Sequence, residues 1–249
     1  MTPLEIIYQD QHLVAINKPS GLLVHRSYID RHETRFALQL LRDQLQQHVY
    51  PVHRLDKPTS GVLVFALSPE VARSLSEQFS GAGLKKRYLA VVRGFAPEAG
   101  VIDYPLKEQL DKIADRRAKR DKPPQEAITR FRRLATVELP VCVDRYPQTR
   151  YSLVEALPQT GRKHQIRRHF KHIAHPIIGD AKHGKGVHNR FFQQHYQCHR
   201  LLLACVEMQL SHPVTGGDLH LHAALDGEFE HVLQRFGWMD AAAESSGAL

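Results

Sequence analysis

The chain is predicted to be an α/β protein of mixed (α+β) organisation, on three observations. Many apolar runs of strand length are interspersed with three or four helical stretches. The first two runs, Leu4–Tyr8 and Leu13–Asn17, are joined only by the polar Gln9-Asp10-Gln11-His12, which predicts a hairpin. A hairpin start argues against a purely parallel, doubly wound sheet.

The elements follow in order. Lys18-Pro19-Ser20-Gly21 is a turn by composition. Residues 34–46 place Ala37, Leu40, Leu41 and Leu45 at helical spacing, with Thr34 as the expected cap. Val62–Leu67 is an apolar run suited to a buried strand. Ser68-Pro69-Glu70 opens a helix with a capping hydroxyl, a proline at the first helical position and an acid in the first turn; Val71, Leu75 and Phe79 share one face, and Gly81 and Gly83 end it. Tyr88–Val92 is a strand closed by Gly94. Residues 107–126 carry Lys112, Arg116, Arg117, Lys119, Arg120 and Lys122 against Asp115 and Asp121, and read as a charged excursion between strands. Further strands are expected at 128–131, 134–139, 151–157, 201–210 and 219–222, and helices at 163–173 and 228–236. Pro176 forbids continuation of the first of these helices. Asp240–Leu249 is small and polar and is expected to be a disordered tail to a domain spanning 1–239.

Composition narrows the function. With 249 residues the chain can bury a substantial core, and 42% apolar and 24% charged residues are ordinary for a soluble protein. No run of 18 apolar residues predicts a membrane helix, and residues 1–10 hold no basic cluster of a secretory signal. Three scattered cysteines, Cys142, Cys198 and Cys205, suggest a reducing compartment, so a cytoplasmic location is expected. Thirty-four Lys and Arg against 26 Asp and Glu give a net charge of +8. Such a surface attracts polyanions; nucleic acid is preferred over anionic membrane because no basic amphipathic helix stands out.

The stretch His53-Arg54-Leu55-Asp56-Lys57-Pro58-Thr59-Ser60-Gly61 holds the candidate chemistry. Pro58 and Gly61 exclude a regular helix, so Asp56 lies on a loop pinned ahead of a core strand, where catalytic groups are commonly carried. Taken by itself, this spacing also fits a surface loop with an Arg54–Asp56 ion pair, or an Asp capping its own turn through Thr59 or Ser60.

The stretch resembles the signature of the RluA-type pseudouridine synthase family. Further agreement lies in Asn17–His25, in Lys86-Arg87-Tyr88-Leu89-Ala90, in Gly161-Arg162-Lys163-His164-Gln165-Ile166-Arg167 and in His175-Pro176-Ile177-Ile178-Gly179-Asp180. It covers residues from about 4 to 225. Within the family, Tyr104-Pro105-Leu106 followed by Leu110–Asp115, and the expectation of no extra N-terminal domain, place the chain nearest the members that act on tRNA. The resemblance implies a mainly antiparallel sheet with flanking helices and a central cleft. It implies isomerisation of a tRNA uridine, uridine 65 in the acceptor/T-stem region, to pseudouridine. An rRNA substrate, or a catalytically silent RNA-binding protein or chaperone on the same fold, are the alternatives.

The reaction breaks a C–N glycosidic bond and forms a C–C bond without net redox or hydrolysis, so no cofactor, metal or obligate protein partner is expected. It needs a carboxylate, a flipped-out nucleotide and exclusion of water. By resemblance Asp56 is that carboxylate. Arg167 is its guanidinium partner, with Arg162 and Arg168 as rivals; a neighbouring cation favours the charged form of a carboxylate and orients it. Tyr88 offers a flat face and a hydroxyl that could assist proton removal. Arg54 fills the space of the flipped base or holds a phosphate, Leu203 forms an apolar wall, and Arg162 adds a substrate contact. The family's Leu-His-Ala is replaced here by Leu203-Ala204-Cys205, so nothing is assigned to residue 204. His164, His169, His172, His175, His183, His188, His195 and His199 crowd one region, but no cysteine pair accompanies them. Partly protonated histidines beside RNA phosphates are therefore expected rather than a metal site.

Overall fold

A computed structural model of the protein describes residues 3–25, 33–81, 83–108 and 122–244. The first hairpin forms as β1 (Glu5–Gln9) and β2 (Leu13–Lys18). Helix α1 (Ala37–Leu45) buries Ala37 and Leu41 but begins after Phe36, with no side-chain cap, so Thr34 does not serve as one. The short β3 (Tyr50–Pro51) and the fully buried β4 (Ser60–Ala66) follow. Helix α2 (Pro69–Ser80) starts as its residues dictate, with the Ser68 hydroxyl accepting from the Val71 N–H. Then come β5 (Lys85–Arg93), β6 (Ala99–Asp103), β7 (Ile128–Leu139), β8 (Thr149–Pro158), α3 (Gln165–His172), α4 (Gly186–Tyr196), β9 (Leu203–Ser211), β10 (Asp218–His222), α5 (Gly227–Phe236) and α6 (Met239–Ala243).

The strands form one sheet in the order β1-β2-β4-β9-β5-β8-β7-β6, with β3 added to β4 and β10 to β9. Every named pairing is antiparallel except β4 with β9, where Ser60 lies opposite Ala204 and Gly61 opposite Cys205. That parallel junction is short, so the sheet divides there and leaves a seam near the start of both strands. Gly61 permits it: φ is +109°, and a Cβ at this position would sit 2.0 Å from the Cys205 carbonyl oxygen.

Both faces of the sheet are covered. Strand alternation sends Tyr88, Ala90 and Val92 into a core shared with α1, α2 and Phe170, and sends Leu89 and Val91 into a second core with Phe191, Phe192, Phe229 and Trp238. Among the described residues, no helix is long and apolar enough to cross a membrane.

Several expectations are corrected. The two strands expected between 128 and 139 are one strand, β7, interrupted by a register shift between Arg133 and Ala135; the bulge absorbs the break in alternation. Helix α4 was not anticipated, because its buried residues are aromatic and histidine rather than aliphatic. Residues 240–243 of the expected tail lie in α6: the buried Arg87 guanidinium donates to the Ala242 and Glu244 carbonyls, at 3.1 and 3.0 Å, satisfying the free carbonyl end of that helix. Arg87 is itself held by Glu155 (2.6 Å) and Glu207 (2.8 Å). The basic excursion falls largely on residues 109–121, outside the described residues.

Candidate active site

The loop carrying Asp56 is fastened from three sides. The turn at residues 17–21 grips it: the Gly21 N–H and the Lys18 ammonium donate to the Lys57 carbonyl (2.9 and 3.1 Å), and the Ser20 hydroxyl donates to the Pro58 carbonyl. Lys18 is fully buried, also bonds the Pro19 and Leu22 carbonyls, and burial together with the Arg200 charge brings its pKa down to about 7. Below the loop, His53 Nε2 accepts the Val64 N–H at 2.9 Å while its ring stacks on Phe79. Burial lowers the His53 pKa to about 3, so this imidazole is a neutral brace. Within the loop, the Thr59 N–H donates to the Asp56 carbonyl, so backbone closes the turn and the carboxylate is left for other work.

That carboxylate meets Arg167. Arg167 Nη1 donates to Asp56 Oδ2 at 2.9 Å, while its Nε and Nη2 donate to the two oxygens of Asp180 at 2.7 and 2.9 Å. Asp180 has no side-chain exposure, and the Lys182 and His183 N–H groups also donate to it. Burial alone would raise its pKa, but the bonds and charge of Arg167 and the backbone donors outweigh that and lower it. Burial likewise opposes charge on Arg167, and its two carboxylates reverse the effect and raise its pKa. Among the described residues Arg167 is the only arginine paired with Asp56. Arg162 Nε turns to the Glu126 carbonyl, Arg168 makes no bond to Asp56, and Arg54 is exposed and forms no ion pair with it.

A cavity of about 310 Å³ opens over this pair. All six expected site residues, Asp56, Tyr88, Arg167, Arg54, Leu203 and Arg162, line it. The wall also carries Lys86, Lys163 and His164, so Asp56 is the one acid among five lysines and arginines. Tyr88 is 9% exposed and lies opposite Cys205 in the β5–β9 pairing. Burial first, then Cys205 and Asp56, hold the phenol well above its ordinary pKa. Ala204 belongs to the core on the other face of the sheet, so the departure from Leu-His-Ala at that position does not reach the cavity.

His164, His169, His183 and His188 are turned towards internal partners, while His172, His195 and His199 are exposed. Burial lowers the pKa of His164, His169, His183 and His188. His169 bridges Thr129 and the Tyr104 carbonyl, His188 meets the Tyr151 hydroxyl, and His164 Nδ1 lies 2.9 Å from His183 Nε2. Among the described residues no group of three or more His, Cys, Asp or Glu side chains is placed to hold a metal ion. Reasoning from sequence missed the roles of Asp180 and of the His164–His183 pair. The signal for Asp180 was present in the Ile177-Ile178-Gly179-Asp180 stretch, where a single acid follows a buried apolar pair.

The sequence model for RNA pseudouridylate synthase matches residues 12–172. The chain is 54% identical to tRNA pseudouridine synthase C of Vibrio cholerae serotype O1 over 238 residues, covering 96% of this chain and 98% of that one. It is 55% identical to the Yersinia pestis protein of the same name, covering 96% and 93%. Its fold is similar to the solved structure of human RNA pseudouridylate synthase domain containing 4, with a TM-score of 0.68 and 27% identity over 94% of this chain and 93% of that one.

Proposed function

The chain belongs to the RNA pseudouridylate synthase family and is an RNA pseudouridine synthase, and from that premise we propose that it converts one uridine of tRNA to pseudouridine with Asp56 acting on the ribose. The observation that carries this reading is the contact of Arg167 Nη1 with Asp56 Oδ2, 2.9 Å, at the floor of a basic cavity. Arg167 holds one carboxylate oxygen. The other, Oδ1, accepts no hydrogen bond among the described residues and lies 3.9 Å from His164 Nε2. Oδ1 is thus free to reach the sugar, either as a nucleophile at C1′ or as the acceptor that assists glycal formation.

The other lining residues have matching tasks. The Tyr88 ring and Leu203 give the apolar walls between which a flipped uracil lies while it turns. Arg54 is the exposed cation at the rim and takes the space of the extruded base or a flanking phosphate. Arg162, with its backbone N–H fixed by Gln165, contributes a second phosphate contact.

The tRNA assignment follows the activity for which relatives above 50% identity over nearly the whole chain are named. The resemblance of the motifs to the tRNA-directed members supports uridine 65 as the target and the cytoplasm as the place of action. The test combines a variant with a map. Asp56→Asn should reduce turnover to background and leave RNA affinity unchanged, because the basic wall is intact; residual turnover above background removes Asp56 from its role. Purified protein incubated with total tRNA and with rRNA, followed by carbodiimide-based primer extension, should give a stop at position 65 of tRNA. A product confined to rRNA overturns the tRNA assignment.

A further inference from the structure

We propose that Tyr104 and His172 form a stacking deck for an unpaired base of the bound RNA, outside the cavity of Asp56, with Arg168 and Lys171 holding the phosphates beside it. The proposal rests on the chain acting on RNA, and it adds a contact remote from the flipped uridine.

The deck is a pair of surface rings. Tyr104 follows β6 and is 43% exposed. Its ring lies on the imidazole of His172, with centroids 3.7 Å apart and planes 18° from parallel. His172 closes α3 and is exposed as well. Two rings stacked face to face cover one face of each. A nucleobase brings a third flat ring that extends the stack, and every base has such a face.

Backbone contacts set the deck in place. The Tyr104 N–H donates to the Ala127 carbonyl at 3.2 Å. The Tyr104 carbonyl meets His169 Nε2 at 3.1 Å, and a carbonyl only accepts, so the imidazole hydrogen sits on Nε2. His169 Nδ1 then accepts from the Thr129 hydroxyl at 3.0 Å. Strand β7, the segment before it and α3 thus all hold one residue. A group ordered before its ligand arrives costs less to immobilise on binding.

The charges beside the deck suit a phosphate. Arg168, Lys171 and His172 stand at i, i+3 and i+4 on α3 and so share a face. Lys171 is exposed and Arg168 half-buried, and the Tyr104 phenol acts on the Arg168 charge. Among the described residues, Arg167 alone on α3 forms ion pairs with carboxylates, so Arg168 and Lys171 are left for an outside anion. Asp103 is the one acid acting on His169 under the deck, against Arg168 and His172. A nucleotide carries a flat base and a phosphate on one unit, which is the combination these four side chains address.

The deck is continuous with the cavity. Arg162 on the cavity rim donates to the Glu126 carbonyl, and the next residue, Ala127, accepts from Tyr104. His172 lies five positions beyond Arg167 on α3, about 8 Å along the axis at ~1.5 Å per residue. Stacked nucleotides rise about 3.4 Å each, so a strand with its target in the cavity reaches the deck roughly two or three nucleotides away. Flipping a base out of a duplex opens the stack around it, which frees a neighbour to settle on the rings.

The test compares two variants of one position. Tyr104→Leu keeps apolar bulk and removes the flat face; Tyr104→Phe keeps the face and removes the hydroxyl. Tyr104→Leu should weaken tRNA binding by about 5- to 100-fold, the worth of one base–aromatic stack, and Tyr104→Phe should bind as the unaltered protein does. With saturating tRNA the turnover number of Tyr104→Leu should be unchanged, so the loss appears in KM. The double variant Arg168→Ala, Lys171→Ala should reduce the magnitude of the salt slope of binding by about 1.5 to 2. Tyr104→Leu with the affinity of the unaltered protein overturns the deck, and so does Tyr104→Phe losing as much as Tyr104→Leu. An unchanged salt slope in the double variant removes the phosphate contacts. Should Tyr104→Leu not fold, which its melting curve reports, the double variant carries the test by itself. If the unaltered protein forms no pseudouridine in tRNA, the functional reading fails instead; if it does and Tyr104→Leu binds normally, only the deck fails.

Discussion

Replacing Asp180 with asparagine tests whether the substrate-facing carboxylate is positioned from behind. Asp180 Oδ1 accepts from Arg167 Nη2 and from the Lys182 and His183 N–H groups, and Oδ2 accepts from Arg167 Nε. An asparagine amide has only one acceptor oxygen. If that oxygen keeps the backbone donors, its NH2 faces Arg167 Nε, donor against donor. If it flips, the two backbone N–H groups lose their acceptor in a site where the side chain has 0% exposure. Either way a buried guanidinium loses its principal counter-charge, a loss of about 3–5 kcal/mol. For a domain of this size that should lower the melting temperature by roughly 6–20 °C. Arg167 would then be held by Asp56 alone, and a displacement of about 1 Å at the reacting group costs on the order of 10²-fold in turnover. The pair also sets a pH dependence. The folded pKa of Asp180 is lowered, so its contribution to stability is complete above the unfolded carboxyl value of about 4 and is lost as pH falls through the lower folded value. Thermal unfolding between pH 3 and 7 should show the acid-side decline reduced in Asp180→Asn, alongside single-turnover rates on tRNA. A variant with unaltered melting temperature and unaltered turnover would refute the argument that Asp180 positions Arg167.

Two further outcomes follow from the same geometry. RNA affinity should fall linearly with salt on logarithmic axes, and Arg54→Ala should reduce the magnitude of that slope by about 1, as expected for one phosphate contact; an unchanged slope, measured by filter binding, would remove Arg54 from the RNA face. Gly61→Ala forces a Cβ to within 2.0 Å of the Cys205 carbonyl at a φ of +109°, and should destabilise the protein by about 3 kcal/mol or more through combined overpacking and backbone strain. A urea midpoint equal to that of the unaltered protein would show that the β4–β9 junction tolerates separation.

Local chemistry made much of this protein legible. The capping serine and proline of α2, the opening hairpin, and the apolar run of β4 are nearest-neighbour effects, and each appears where the residues place it. The site motifs were legible as stretches, and Asp56, Tyr88, Arg167, Arg54, Arg162 and Leu203 do line one cavity. Elements whose stability comes from distant partners were harder to see. Helix α4 is held by aromatic packing against α5 and β8, and α6 by Arg87 on β5. Neither carries a periodic aliphatic face that would announce it.

The amino-acid sequence by itself determined the class of the fold, the loop on which Asp56 sits and the excess of positive charge, because these depend on residue type and on neighbours along the chain. Tertiary structure alone decided which arginine of three meets Asp56 and that Asp180 holds it there. The first turns on a contact between residues more than a hundred positions apart, and both turn on burial, which shifts proton affinity without leaving a mark in the order of residues.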